Sequence, residues 1–167
     1  FFTRMDMPSW LKVAIGGLAT GVIGFAMPDI MGPGYGVISH LFSTPDSAVL
    51  SETVTRHWPL HGFLLFFFLK VIATACTVGS GGSGGVFAPA LVCGGSLGAA
   101  VGIAFEMVLP SSMGIHPAAF ALVGMAGFVA AAVRCPLTAI VMVAEISGNH
   151  ELLLPTMWVC GIAFWLN

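Results

Sequence analysis

Charge is what this 167-residue chain has least of. Asp, Glu, Lys and Arg make up 7% of it, against 57% hydrophobic residues. An ordinary soluble domain carries about 25% charged residues, so this composition cannot make a soluble surface. From residue 71 to residue 105 there is no charge at all, a longer run than the roughly 20 residues that cross a hydrocarbon core. The chain is therefore expected to be an integral membrane protein. The net charge of −2 and the lack of any basic run argue against a nucleic-acid partner. No C-x-x-C pair occurs among Cys76, Cys93, Cys135 and Cys160, which argues against a zinc site or a disulfide framework. They read as small buried hydrophobes. His40, His57, His61, His116 and His150 show no metal-ligand spacing and read as interface residues. There is no cleavable-leader pattern and no initiator Met, and the chain ends within an apolar run at Trp165-Leu166-Asn167. It is expected to be a piece of a longer protein, so a site in it can be completed by residues outside it.

What is present is a series of apolar runs with sharp punctuation. Pro8-Ser9 opens a span over 10–27, and Pro28-Asp29 stops it. Gly17, Gly21 and Gly24 recur at helical spacing, so a neighbouring helix is expected to lie close there. Arg4 and Lys12 precede the span, while Asp29, Asp46 and Glu52 follow it; the positive-inside rule puts the 29–57 segment outside. Residues 31–43 form a Gly/Pro-rich loop, and Ser43-Thr44-Pro45-Asp46 caps a short helix to about Thr55. The second span begins at His57-Trp58-Pro59 and runs to Val78, with Trp58 as an interface anchor. Lys70 lies deep within it. A charge at such depth is a functional candidate, unless it pairs with a carboxylate or snorkels to the surface. The third span, 86–108, carries Gly94, Gly98 and Gly102 as a small-residue stripe. A fourth segment, 118–133, is broken by Arg134-Cys135-Pro136, and 137–146 is too short to cross a bilayer alone. Arg134 is expected at the turn between two half-length helices. After a turn at 147–150, a last span covers 152–165.

The densest punctuation is V-G-S-G-G-S-G-G-V-F-A-P at 78–89. Irregular backbone survives at membrane depth only where it is buried in protein or lines a wet cavity. A phosphate loop would need G-x-x-x-x-G-K-[ST], and no Lys or Arg lies between Lys70 and Arg134. A serine nucleophile is a second reading. Gly81-Gly82-Ser83-Gly84-Gly85 fits G-x-S-x-G and is similar to the serine motif of rhomboid intramembrane proteases, but no histidine has the context of a base. The third reading is anion binding by bare backbone. A helix beginning near Val86 offers unpaired N–H groups and the positive end of its dipole. Phe87 adds an apolar wall, Pro89 wastes no donor, and Ser80 and Ser83 could add hydroxyls. A tight helix–helix turn without a ligand is the remaining alternative.

The same stretch resembles the third signature of the CLC chloride channels and chloride/proton antiporters, G-x-F-x-P with an S-G-x-x-G-G lead-in. The motif falls on Gly85, Val86, Phe87, Ala88 and Pro89. Gly34-Tyr35-Gly36 resembles a family loop. The run from Arg134-Cys135-Pro136-Leu137-Thr138 to Glu145 resembles R-A-P-L-T-x-x-x-x-x-x-E, with Cys135 where alanine is usual. Glu151-Leu152-Leu153-Leu154-Pro155 resembles the family's L-I-L-P helix start. The resemblance covers nearly the whole chain in the right order.

The resemblance implies an all-α polytopic membrane protein, a CLC-type bundle of tilted and half-length helices, about seven of them here. Residues 1–167 would be a fragment of one transmembrane domain with no soluble domain. The implied activity is chloride transport, by a channel or a chloride/proton antiporter, without covalent chemistry or a cofactor. The implied anion donors are the N–H groups of Val86 and Phe87, and Gly84 and Gly85 shape the approach; Ser83, Ala88 and Pro89 are counted with them as anion-binding residues. The implied partners are chloride, the bilayer of the cell (inner) membrane, and a second copy of the chain joined through about 137–165. The rest of the polypeptide would complete the pore, because the family's upstream pore serine and gating glutamate and its downstream pore tyrosine have no counterpart here. Tyr35, in the outer loop, is not assigned to the pore, nor are Glu106 and Glu145 to the gate. Glu145 is expected to be structural, pairing with Arg134.

Overall fold

The computed structural model describes residues 8–31, 60–108, 117–148 and 152–166. Six α-helices stand in chain order: α1 (Ser9–Ala26), α2 (Leu60–Gly79), α3 (Phe87–Val108), α4 (Pro117–Val133), α5 (Pro136–Ser147) and α6 (Leu153–Leu166), with one 3₁₀ turn at Pro28–Ile30. They match six of the seven expected helices, five of them within a residue at each end; α2 ends within a residue of the expected Val78, and the residues expected to open it, 57–59, lie outside the described residues. The seventh, at about 45–55, lies outside the described residues, as do the Gly34-Tyr35-Gly36 loop, Trp58, four of the histidines (40, 57, 116 and 150) and Glu151.

The helix ends follow from the punctuation. Pro8 is the N-cap of α1, extended at φ −60° and ψ 142°, and the Met27 N–H closes the helix on the Ile23 carbonyl. Pro28 offers no N–H to continue the ladder and starts the 3₁₀ turn instead. Between α4 and α5 the chain reverses through Arg134, whose φ of 57° is in the left-handed region. Side chains rarely adopt that conformation outside turns. Cys135 is then the N-cap of α5 and Pro136 its first residue. Gly148, at φ 60°, ends α5 by donating to the Ala144 carbonyl. The expected break at Arg134 is thus present, but only one of the two helices is half-length: α5 has 12 residues and α4 has 17.

The core lies around α3. Twelve of its 22 residues are buried, between α2 on one side and α4 on the other. The α3–α4 contact is the most extensive among the described residues. A Cβ at Gly98 would meet the Phe120 carbonyl oxygen, one at Gly94 would lie 2.5 Å from the Gly124 oxygen, and one at Gly102 would lie 2.8 Å from Pro117 Cα. The stripe expected on this helix is therefore a backbone-to-backbone contact, of the kind small residues permit in membrane helices. Packing and dispersion must carry such a contact, because lipid gives helices no hydrophobic incentive to associate.

The stripe expected on α1 needs correcting. Gly17 and Gly21 have nothing within 4 Å of an ideal Cβ. The glycine that admits a neighbouring helix is Gly16, where a Cβ would lie 2.8 Å from the Cys76 carbonyl of α2; Gly24 instead receives the Met31 side chain. α1 is apolar nearly all round, so its sequence carries no phase to say which glycine faces inward.

α2 and α3, at 20 and 22 residues, are each long and apolar enough to cross a membrane. Large apolar side chains face outward, among them Phe25 at 91% and Val108 at 80% exposure, as a lipid-embedded surface requires and a soluble one avoids. The protein is an integral membrane protein.

Candidate functional site

The glycine break lies between the end of α2 and the start of α3. α2 is finished by three backbone bonds: Ser80 N–H to the Cys76 carbonyl, Gly81 N–H to Val78 and Gly82 N–H to Thr77, all at 3.1 Å. Gly81 has φ +89°, which L side chains rarely adopt, and a Cβ at Gly82 would lie 2.8 Å from the Thr77 oxygen. These two glycines make the turn. Gly84 and Gly85 differ: nothing lies within 4 Å of an ideal Cβ on either. They border open space.

α3 then begins with the Ala90 N–H bonded to the Val86 carbonyl at 3.0 Å. The N–H groups of Val86, Phe87 and Ala88 come before that first bond and have no acceptor within the helix. Pro89 has no N–H to leave unpaired. The positive end of a 22-residue helix is thus presented beside a sterically open break.

The seven residues singled out in the sequence, 83–89, run consecutively from the break into the first turn of α3. Ser83, Gly84 and Gly85 are exposed, as is Val86 at 51%, while Phe87, Ala88 and Pro89 are half-buried. Beside these residues runs a groove of about 450 Å³ between α2, α3 and α4, lined mainly by apolar side chains including Val71, Val78, Val86, Pro89 and Phe128.

Ser80 and Ser83 part company. Ser83 faces outward, but Ser80 is 6% exposed and its hydroxyl donates to the Thr77 carbonyl at 3.0 Å. The expectation that Ser80 could offer its proton to a ligand is corrected: the proton is already used to cap α2. As for a base beside Ser83, the one histidine among the described residues, His61, is in the first turn of α2. It stands about 27 Å away along the helix axis at 1.5 Å per residue.

Lys70 does not snorkel. It is 3% exposed, and its Nζ donates to the Ile30 carbonyl at 2.7 Å. It ties the 3₁₀ turn after α1 to the middle of α2, away from the glycine break. Arg134 and Glu145, expected as a pair, are both exposed and lie at opposite ends of α5.

Sequence reasoning missed Gly16 and Thr20, through which α1 meets the end of α2. Thr20 Oγ1 lies 3.0 Å from Thr77 Oγ1 and donates to the Gly16 carbonyl at 2.9 Å. A lone Thr in an apolar helix is a weak signal of such a contact, because it can equally bond back within its own helix.

A sequence profile described as voltage gated chloride channel matches residues 1–167. A chloride channel protein of Ralstonia nicotianae described as ClcB-like is 34% identical over 159 residues, covering 95% of this chain and 34% of that protein. The H(+)/Cl(-) exchange transporter ClcA of Salmonella paratyphi A is 39% identical over 160 residues, covering 93% of this chain and 30% of the transporter. Its counterpart in Salmonella arizonae is 38% identical over 158 residues, with the same two coverages. The chain thus spans about a third of the length of these relatives. With a match from its first residue to its last, and the helical bundle described above, the chain belongs to the voltage-gated chloride channel family.

Proposed function

We propose that this chain is part of the membrane domain of a chloride transporter or channel, and that the N–H groups of Val86 and Phe87 bind the anion. The observation that carries the reading is the start of α3: donors with no acceptor in the helix, facing a break where Gly84 and Gly85 leave open space. Partial charges of about half a unit at a helix terminus attract an anion moderately. Conduction needs that balance, because a site must bind well enough to replace hydration and weakly enough to release. Ser83, Ala88 and Pro89 form the rest of the wall, and no covalent step or cofactor is involved. The rest of the same polypeptide completes the ion path.

The relatives' names support chloride as the ion: one is described as a chloride channel protein, ClcB-like, and the others as H(+)/Cl(-) exchange transporters. The test replaces Phe87 in the full polypeptide, reconstituted in phospholipid vesicles. Phe87→Pro removes one N–H at a helical position that tolerates proline, and Phe87→Ala controls for the ring. A hydrogen bond to a charged group contributes about 1.5–3 kcal/mol, so Pro is expected to weaken chloride affinity about 10- to 100-fold relative to Ala. Equal affinities in the two variants would remove the backbone site. Ser83→Ala is expected to weaken chloride affinity far less than Phe87→Pro, because the donors are backbone N–H groups, whereas a serine nucleophile would lose all activity with its hydroxyl.

We also place a homodimer contact on residues of about 137–165, in the bilayer of the cell (inner) membrane. α5 and α6 leave Leu137, Leu154, Trp158 and Trp165 between 70% and 84% exposed. A shallow groove of about 530 Å³ runs along α6 between Leu154, Met157, Trp158 and Trp165. Trp158→Asp is expected to convert a detergent-solubilised dimer to a monomer, read by light scattering. A dimer that survives the change would move the interface elsewhere.

A further inference from the structure

The end of α2 is held more firmly than a turn requires. Ser80 is buried although it belongs to an otherwise open break. Its hydroxyl and the Gly82 N–H both donate to one acceptor, the Thr77 carbonyl, at 3.0 and 3.1 Å. α1 closes over this knot. A Cβ at Gly16 would meet Ser80 Oγ, and the Ser80 Cβ at 2.5 Å. One helical turn along α1, Thr20 Oγ1 lies 3.0 Å from Thr77 Oγ1. Two helices and the first half of the break therefore converge on Thr77.

We propose that Ser80 is a positioning residue for the anion site. Its hydroxyl, held under Gly16 of α1, sets the course of the break and so the direction of the Gly85–Val86 peptide. The inference rests on the anion reading given above. The N–H of Phe87 belongs to a helical residue, so α3 fixes where it points. The N–H of Val86 belongs to the peptide that joins the break to the helix, outside the ladder. Its direction depends on the residues before it. Gly84 and Gly85 have no side chains to anchor them and nothing packed at their Cβ positions. The break is held from its ends: at one by the packing of α3 between α2 and α4, at the other by the Ser80–Thr77–Gly82 knot. Releasing that knot leaves the fold in place but lets the Val86 donor lose its aim.

The test measures chloride and bromide affinity by calorimetry on folded, detergent-solubilised full polypeptide. Ser80→Ala is expected to weaken chloride affinity about three- to ten-fold, the scale of one lost hydrogen bond, and to shift the ratio of bromide to chloride affinity. Gly16→Ala, whose Cβ presses on Ser80 and on the Cys76 carbonyl while leaving Gly84, Gly85 and Val86 unaltered, is expected to shift both in the same direction. It carries the test if Ser80→Ala does not fold. A purely structural role would lower Tm and leave both affinities unchanged. That result, with Phe87→Pro still weakening binding, overturns the positioning role and leaves the anion site standing. Unchanged affinity in Ser80→Ala and Phe87→Pro alike removes the anion site, and the positioning role with it.

Discussion

Two regions of this molecule are rich in glycine for opposite reasons. On α3, Gly94 and Gly98 are where they are because another backbone occupies the space a side chain would need. Gly124 of α4 answers them: a Cβ there would lie 2.5 Å from the Gly94 carbonyl oxygen and 2.9 Å from Gly98 Cα. In the break between α2 and α3, Gly84 and Gly85 have nothing near them. The same residue type closes a contact in one place and borders open space in the other. Substitutions there should accordingly fail in different ways, the first by loss of the fold and the second by loss of transport.

The largest effect is expected at the crossing. Gly98→Ala should destabilise the protein by about 3 kcal/mol, the upper part of the usual range for overpacking, because the atoms in the way are the Phe120 and Ala121 backbone rather than flexible side-chain tips. A fall in Tm or in folded yield reads it; a wild-type Tm would mean that α3 and α4 can separate without cost. A middling effect is expected at Gly81→Ala. Its φ of +89° places it where an added Cβ strains the backbone, at about 1–2 kcal/mol, with no neighbour to collide with. The smallest stability change is expected at Gly85→Leu, within about 0.5 kcal/mol as for other open positions. Yet this substitution should impair chloride flux most per unit of stability lost. Unchanged flux and halide affinity in a folded Gly85→Leu protein would collapse the distinction between the two regions.

The helix boundaries were legible because their signals are covalent. Pro28 and Pro136 lack an N–H, and Gly148 tolerates φ 60°. These constraints act within a few residues and need no tertiary partner. The α3 stripe was legible for a related reason: three glycines four residues apart on a single helix leave little choice of packing face. α1 was harder. Gly17, Gly21 and Gly24 make as good a stripe as the observed Gly16 contact, and an apolar helix surrounded by apolar solvent shows no polar face to break the tie. Lys70 was visible as an anomaly, but its acceptor was not. That acceptor is a backbone carbonyl, Ile30, 40 residues away, and every residue carries one.

The site divides along the same line. By itself the sequence determined that the break exists, that α3 starts beside it, and that Pro89 follows the donors; each is a local property of glycine, proline and the helix terminus. It also carried the family motif. Only the tertiary structure decided which glycines turn the chain and which border open space, and that the Ser80 proton is spent on Thr77 rather than left for a ligand. The physical reason is that a hydroxyl's partner and a glycine's clearance are set by neighbours brought in from other helices, here α1 lying over Ser80 through Gly16. No spacing within residues 78–89 records that neighbour.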